Sequence, residues 1–184
     1  MRLFIAVEIS DKIKKKIVEL INELETVDGS VKWVARENLH ITLKFLGWVE
    51  EKDLDKLIEM TSKAVENFHP FNVNYAGLGT FPEGKAPRVV WVGMGEGAEE
   101  MGKLAEALED KLSRAGFRSE PRGFKPHLTV GRIKEKKGVD NLKTNLAAIK
   151  EPKFGETEVE SLFIMKSTLT SKGSIYEKIK EVKL

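Results

Sequence analysis

Two short segments share a pattern suited to proton transfer: His40-Ile41-Thr42-Leu43 and His127-Leu128-Thr129-Val130. Along an extended chain alternate side chains share a face, so each histidine sits beside its threonine while the apolar residue between them turns away. Two such strands facing each other across a cleft would hold two imidazoles about one substrate. A neutral imidazole accepts the proton of water and a protonated one donates to a leaving oxygen, and an ordinary pKa of ~6.5 suits both tasks. The threonine hydroxyls add donors where negative charge gathers on non-bridging phosphate oxygens. Cleavage of a phosphodiester fits this set and needs no metal. His40, Thr42, His127 and Thr129 are therefore the candidate catalytic residues.

One H-x-T is weak evidence, because nine threonines in 184 residues make a chance match roughly 1 in 20. Two matches among three histidines arise by chance in about 0.7% of such sequences. The third histidine, His69, lacks the threonine and precedes Pro70, so it reads as a loop residue. There is no cysteine, which excludes disulfides, thiolate catalysis and sulfur-ligated zinc. The histidines are not at H-x-H or H-E-x-x-H spacing and adjoin no carboxylate cluster, so no metal is expected.

The elements that must position these residues are legible in the periodicity. Leu3 to Ile9 reads as a strand. Ser10-Asp11 caps a helix whose apolar face is Ile13, Ile17, Leu20, Ile21 and Leu24, ending near Gly29. Leu39 to Gly47 alternates, with Leu39, Ile41, Leu43 and Phe45 on one face and His40, Thr42 and Lys44 on the other. A helix through Leu54, Leu57, Ile58, Thr61, Ala64 and Val65 follows, then a strand from Phe71 to Phe81 and a loop marked by Pro82, Gly84 and Pro87. The order then begins again. A strand from Arg88 to Met94 precedes a helix through Met101, Leu104, Ala105, Leu108 and Leu112, closed by Gly116. The strand PHLTVGRI follows, then a helical stretch from Val139 to Ile149, a strand containing Val159 to Met165 and a last one from Ile175 to Val182. Leu3 precedes His40 by 37 residues and Arg88 precedes His127 by 39. The halves thus repeat a pattern, with little residue identity outside the motifs.

Residues 1–184 are expected to form a single domain of two lobes, a length sufficient for a substantial core. A net charge of +2, from 31 basic and 29 acidic residues, excludes a broad basic coat for nucleic acid and leaves room for a local anion site. The opening RLFIAVEIS is apolar too briefly for a signal-peptide core or a membrane span. A cytoplasmic protein without a membrane partner is expected.

At RLFIAVEI, LHITLKFLG, APRVVWVG and FKPHLTVGRI the chain resembles the two-histidine phosphoesterase superfamily, and within it the RNA 2′,3′-cyclic phosphodiesterases also called 2′-5′ RNA ligases. The resemblance covers essentially the whole chain. It implies an α+β fold of two pseudo-symmetric lobes, with antiparallel sheets lining a central cleft and helices outside. It implies no metal and no nucleotide cofactor. The implied substrate is RNA ending in a 2′,3′-cyclic phosphate, opened to a 2′-phosphate; tRNA fragments among the substrates and a monomeric state are separate expectations. The resemblance also implies that His40 donates the proton and His127 accepts one; spacing alone leaves those roles open. In reverse, the same site would join a cyclic-phosphate end to a 5′-hydroxyl.

Several further residues are candidates for substrate binding. Alternation places Lys44 beside Thr42, near the phosphate, unless it simply reaches solvent. Parity sets Arg132 opposite His127, unless Gly131 introduces a bulge. Arg88 either reaches the cleft or caps its strand's exposed end. Arg118, Arg122 and Lys125 precede His127 in RSEPRGFKP, a loop that either guides an RNA backbone or is simply solvated. Phe81 is the candidate for stacking on a base, with Phe45 and Trp33 competing and core packing the plainer role for each. Two other functions use the same residues: a module that binds RNA ends without turnover, and an esterase of small cyclic phosphates such as cyclic nucleotides.

Overall fold

The computed structural model describes residues 1–184 except 26–30, 85, 135–137 and 172. The first strand, β1, spans Arg2–Glu8, and helix α1, Asp11–Glu25, begins shortly after it. The Ile13 N–H donates to Ser10 Oγ at 3.4 Å, so the predicted cap is in place. Ile13, Ile17, Leu20, Ile21 and Leu24 form the buried face. The expected helix end near Gly29 lies outside the described residues. Strand β2, Val31–Trp33, is followed by β3, His40–Trp48, α2, Leu54–Val65, and β4, Phe71–Phe81. The second half supplies β5, Val89–Met94, α3, Ala98–Arg114, β6, Leu128–Ile133, and α4, Val139–Ala148. Gly116, at φ +92°, ends α3 as predicted, and the Phe117 N–H reaches back to the Leu112 carbonyl at 3.0 Å.

Strands β7, Lys153–Val159, β8, Ser161–Thr170, and β9, Gly173–Lys183, complete the chain. The expected strand through Val159 to Met165 is thus two strands broken at Glu160. There the chain leaves one sheet for the other, and a local apolar pattern carries no mark of that change. β2 was not anticipated, because three residues are too few to show alternation.

All pairings are antiparallel, in a four-stranded sheet of order β3-β1-β8-β9 and a five-stranded sheet of order β2-β6-β5-β4-β7. The repeat survives as two strand pairs: β1 beside β3 in the first sheet, and β5 beside β6 in the second. The lobes, however, are not the sequential halves. β4 crosses to pair with β5, while β8 and β9 return to extend the sheet of β1. The exchange ties both lobes into one core. The fold is α+β and bilobal, with antiparallel sheets lining a cleft.

The main core joins Leu3, Ile5 and Val7 of β1 to Ile41 of β3, Val90 and Val92 of β5 and the apolar faces of the helices. Each fully buried Leu or Ile there contributes roughly 1.5–3 kcal/mol. Phe4, Ala6, Phe163 and Met165 form a smaller cluster, with Tyr176 packed against it. The alternation of β1 puts this cluster on the opposite face of the first sheet, the one turned to the cleft. No helix among the described residues is long and apolar enough to cross a membrane.

Candidate active site

β3 is an edge strand of its sheet, β6 lies next to the edge of the other, and the two strands approach each other where the sheets meet. The two H-x-T segments are thereby brought to one junction. His40 and Thr42 lie opposite Glu8 and Ala6 of β1, and Thr129 lies opposite Trp91 of β5. His127 stands one residue before β6.

Both strands then depart from simple alternation at the same point. Ile5 pairs with Lys44 and Ala6 with Thr42, leaving Leu43 as an extra residue. Val90 pairs with Gly131 and Trp91 with Thr129, leaving Val130 extra. Each bulge falls on the third residue after the histidine. A bulge inverts the faces of the residues that follow it. Phe45 consequently turns to the cleft, 54% exposed, instead of joining the core face. Arg132 shares the cleft face with Thr129, which is the bulged alternative of the two sequence readings. Gly131 turns inward beneath Trp33, where a Cβ would meet the indole ring at 2.8 Å. Trp33 is partly buried and packs against the core.

Lys44 is a correction. It was expected beside the phosphate, but the bulge buries it to 3% exposure on the far side of the strand. There its ammonium pairs with Glu109 of α3 and donates to the Arg118 carbonyl at 2.9 Å. It does not reach solvent either.

The two imidazoles are held alike. His40 Nδ1 lies 2.7 Å from the Asn38 carbonyl, and His127 Nδ1 lies 2.6 Å from the Lys125 carbonyl, each acceptor two residues upstream. A carbonyl only accepts, so each Nδ1 carries a proton and donates it. This leaves Nε2 of each ring as the atom that can exchange a proton. His40 Nε2 is 3.0 Å from Thr42 Oγ1. Aromatic rings stand perpendicular to both: Tyr176 against His40 at 5.1 Å and 90°, Phe81 against His127 at 5.2 Å and 88°. Phe4 adds a tilted contact to His40 at 5.0 Å.

Burial lowers the pKa of His40 below 6.5, opposed by its hydrogen bond to Asn38. Lys14 and Arg132 lower it further and Glu8 raises it. The action of Arg132 on His40 joins a residue of one motif strand electrostatically to the histidine of the other. Lys14, Tyr176 and Phe4 were not singled out in the sequence. Each comes from a different element, and no local spacing relates them to an H-x-T motif.

The remaining candidates are dispersed. Phe81 is half-buried, stacked on Trp91 at 5.1 Å and covered by the Lys125 ammonium at 5.5 Å. Arg88 is exposed just before β5, where its main chain extends the ladder to Phe81 and Ile133. Arg122 is exposed in the loop before His127 and pairs with Glu120 at 3.0 Å. Arg118 lies in the same loop with its guanidinium against Gly47. His69 lies exposed in a loop, as read. Among the described residues no group of three His, Cys, Asp or Glu side chains is arranged to hold a metal ion.

Residues 13–170 match the sequence profile of the 2′-5′ RNA ligase superfamily. Over 180 residues, 98% of both chains, the protein is 42% identical to an RNA 2′,3′-cyclic phosphodiesterase of Archaeoglobus fulgidus. Its structure is similar to the crystal structure of a Thermus thermophilus protein, at a TM-score of 0.84 and 27% identity, covering 100% of this chain and 98% of that one. It shares its fold with E. coli LigT crystallised with 3′-AMP, at a TM-score of 0.80 and 24% identity over 100% and 97% of the two chains. With its motif strands, its two sheets and a match spanning most of its length, the chain belongs to the 2′-5′ RNA ligase superfamily.

Proposed function

We propose that the protein hydrolyses the 2′,3′-cyclic phosphate at the end of an RNA strand to a 2′-phosphate, using His40 and His127 as its proton-transfer groups. The observation that carries this reading is the matched tethering of the two imidazoles. Each gives its Nδ1 proton to a carbonyl two residues upstream and keeps Nε2 for exchange. The activity borne by the Archaeoglobus relative's name and the 3′-AMP held by LigT agree with a phosphorylated ribose as the bound group.

In this mechanism His127 Nε2 takes a proton from water as the oxygen attacks phosphorus. His40 Nε2–H gives its proton to the ribose 3′-oxygen as the P–O3′ bond breaks. Thr42 and Thr129 donate to the non-bridging oxygens, and Arg132 balances their charge. The donor and acceptor roles follow the family resemblance. Burial favours the neutral form of His40 in the free protein, and the negative charge of a bound phosphate favours the protonated donor. No step requires a metal. With a 5′-hydroxyl in place of water, the same opening of the P–O3′ bond forms a 2′-5′ linkage and releases the 3′-hydroxyl. The protein acts as a cytoplasmic monomer on RNA fragments, tRNA pieces among them.

The test is incubation of chelator-treated protein with a short RNA ending in a 2′,3′-cyclic phosphate, and identification of the terminus formed. A 2′-phosphate is expected. A bound but intact cyclic end would replace the hydrolase by a binding module. Turnover of cyclic mononucleotides but not of RNA would move the substrate to small cyclic phosphates.

A further inference from the structure

The first sheet's cleft face continues well past His40. Its register places His40, Thr42, Phe45 and Trp48 of β3 opposite Glu8, Ala6, Phe4 and Arg2 of β1. From Glu8 to Arg2 the face extends about 20 Å at the usual strand rise. A cavity of about 820 Å³ lies at this far end and not at the histidines. Arg2, Trp48, Lys166, Ser167 and Leu169 contribute to its walls.

Its surface is unusual for a folded chain. Trp48 is 79% exposed and Leu169 67% exposed, although large apolar side chains are among those most covered by folding. With Phe45 they make three of the four exposed large hydrophobic residues among the described residues; pairing with Phe4 and Arg2 puts Phe45 and Trp48 on the cleft face, and alternation along β8 from Met165 puts Leu169 there. Charge accompanies them. Arg2 has no ion pair with a described residue, while Lys166 reaches Glu177 at 3.2 Å. Two carboxylates also border the cavity: Glu50, which pairs with Lys52 at 2.7 Å, and Glu51.

We propose that this far end binds the nucleotides that precede the reacting terminus of a single-stranded RNA, with Trp48 stacking on a base and Arg2 facing a backbone phosphate. The inference rests on the hydrolase reading for what occupies the histidine end. Its occupant follows from continuity, because one strand face joins the cavity to His40 and Thr42. It also follows from chemistry, since an exposed indole beside a guanidinium with no ion pair to a described residue matches alternating bases and phosphates. The low net charge of +2 disfavours a duplex, which is held through many phosphate contacts. The enzyme would then prefer oligonucleotides to cyclic mononucleotides.

The experiment compares KM for a dinucleotide and an octanucleotide, both ending in 2′,3′-cyclic phosphate, in the wild type, Trp48→Ala and Trp48→Phe. In parallel, fluorescence anisotropy measures binding of the same lengths ending in a 3′-phosphate, which needs no turnover. The wild type is expected to favour the octanucleotide about 10-fold in KM, with kcat little changed. Trp48→Ala should collapse that preference, and Trp48→Phe should keep most of it. Equal KM and affinity for both lengths, or a preference untouched by Trp48→Ala, would overturn the inference. So would a dimer that Trp48→Ala dissolves while RNA binding stays the same. If neither RNA is turned over, the hydrolase reading fails, and the anisotropy series still decides whether longer RNA binds through Trp48.

Discussion

The Lys44 ammonium donates to the main-chain carbonyl of Arg118 at 2.9 Å, tying the strand that carries His40 to the loop that leads to His127. Its other partner, Glu109, also accepts from Ser119 Oγ at 2.9 Å and from the Glu120 N–H at 3.1 Å. One buried lysine thus fixes the start of that loop relative to β3. This is a structural role, on the side of the strand opposite His40 and Thr42.

Lys44→Ala is expected to destabilise the fold by about 2–4 kcal/mol in urea unfolding. That is somewhat less than the ~3–5 kcal/mol for a fully buried pair, since Glu109 retains 29% side-chain exposure. Burial alone would raise the Glu109 pKa, but hydrogen bonds from Lys44, Ser119 and Glu120 hold it below 4.5. A depressed carboxylate contributes stability that is complete above its unfolded pKa and lost as pH falls through the folded one. The urea midpoint should therefore fall on acidification below 4.5, and Glu109→Gln should flatten that dependence. A Lys44→Ala protein as stable as the wild type would leave the tether without consequence.

His40 should titrate below 6.5 when its ring is followed by NMR. Arg132→Gln removes a positive charge that lowers this pKa, so the titration should move upward. If His40 is the proton donor, the alkaline limb of kcat/KM lies below 6.5 and rises in Arg132→Gln, because the free enzyme must keep that proton. Movement of the acid limb instead would exchange the roles of the two histidines.

Replacing either of the two proposed proton-transfer imidazoles should cost about 10²–10⁴-fold in kcat, the usual contribution of one acid–base group. His40→Ala and His127→Ala are to be measured with the cyclic-phosphate RNA, and far-UV circular dichroism checks that both remain folded. A variant retaining most of the wild-type rate would remove that histidine from the chemistry.

Thr42→Ala and Thr129→Ala test stabilisation of the phosphoryl oxygens. Each is expected to lower kcat by about 10–10²-fold, less than a full oxyanion-hole donor gives, with a smaller effect on KM. Thr42→Ser and Thr129→Ser retain the hydroxyl and should restore most of the rate. A loss confined to KM would assign the threonines to ground-state binding.

The sequence by itself determined the H-x-T pattern, the succession of strands and helices and the repeat, because period-two and helical patterns are local consequences of backbone geometry; the antiparallel α+β organisation followed only from the family resemblance. The apolar faces of α1 and α3 and the span of β4 needed nothing further. What only the tertiary structure decided lies just beyond each motif. The bulges at Leu43 and Val130 invert the strand faces, and a bulge is set by pairing with a partner strand, which the strand's own sequence does not encode. Lys44 was therefore misplaced and Phe45 assigned to the core face, while the place of Arg132 stayed open. The exchange of β4, β8 and β9 between sheets, and the arrival of Tyr176 and Lys14 at His40, depend on how distant segments pack. The candidate residues were legible because the motif resides in residue types at short spacing; their surroundings were not, because they are assembled from segments the chain holds far apart.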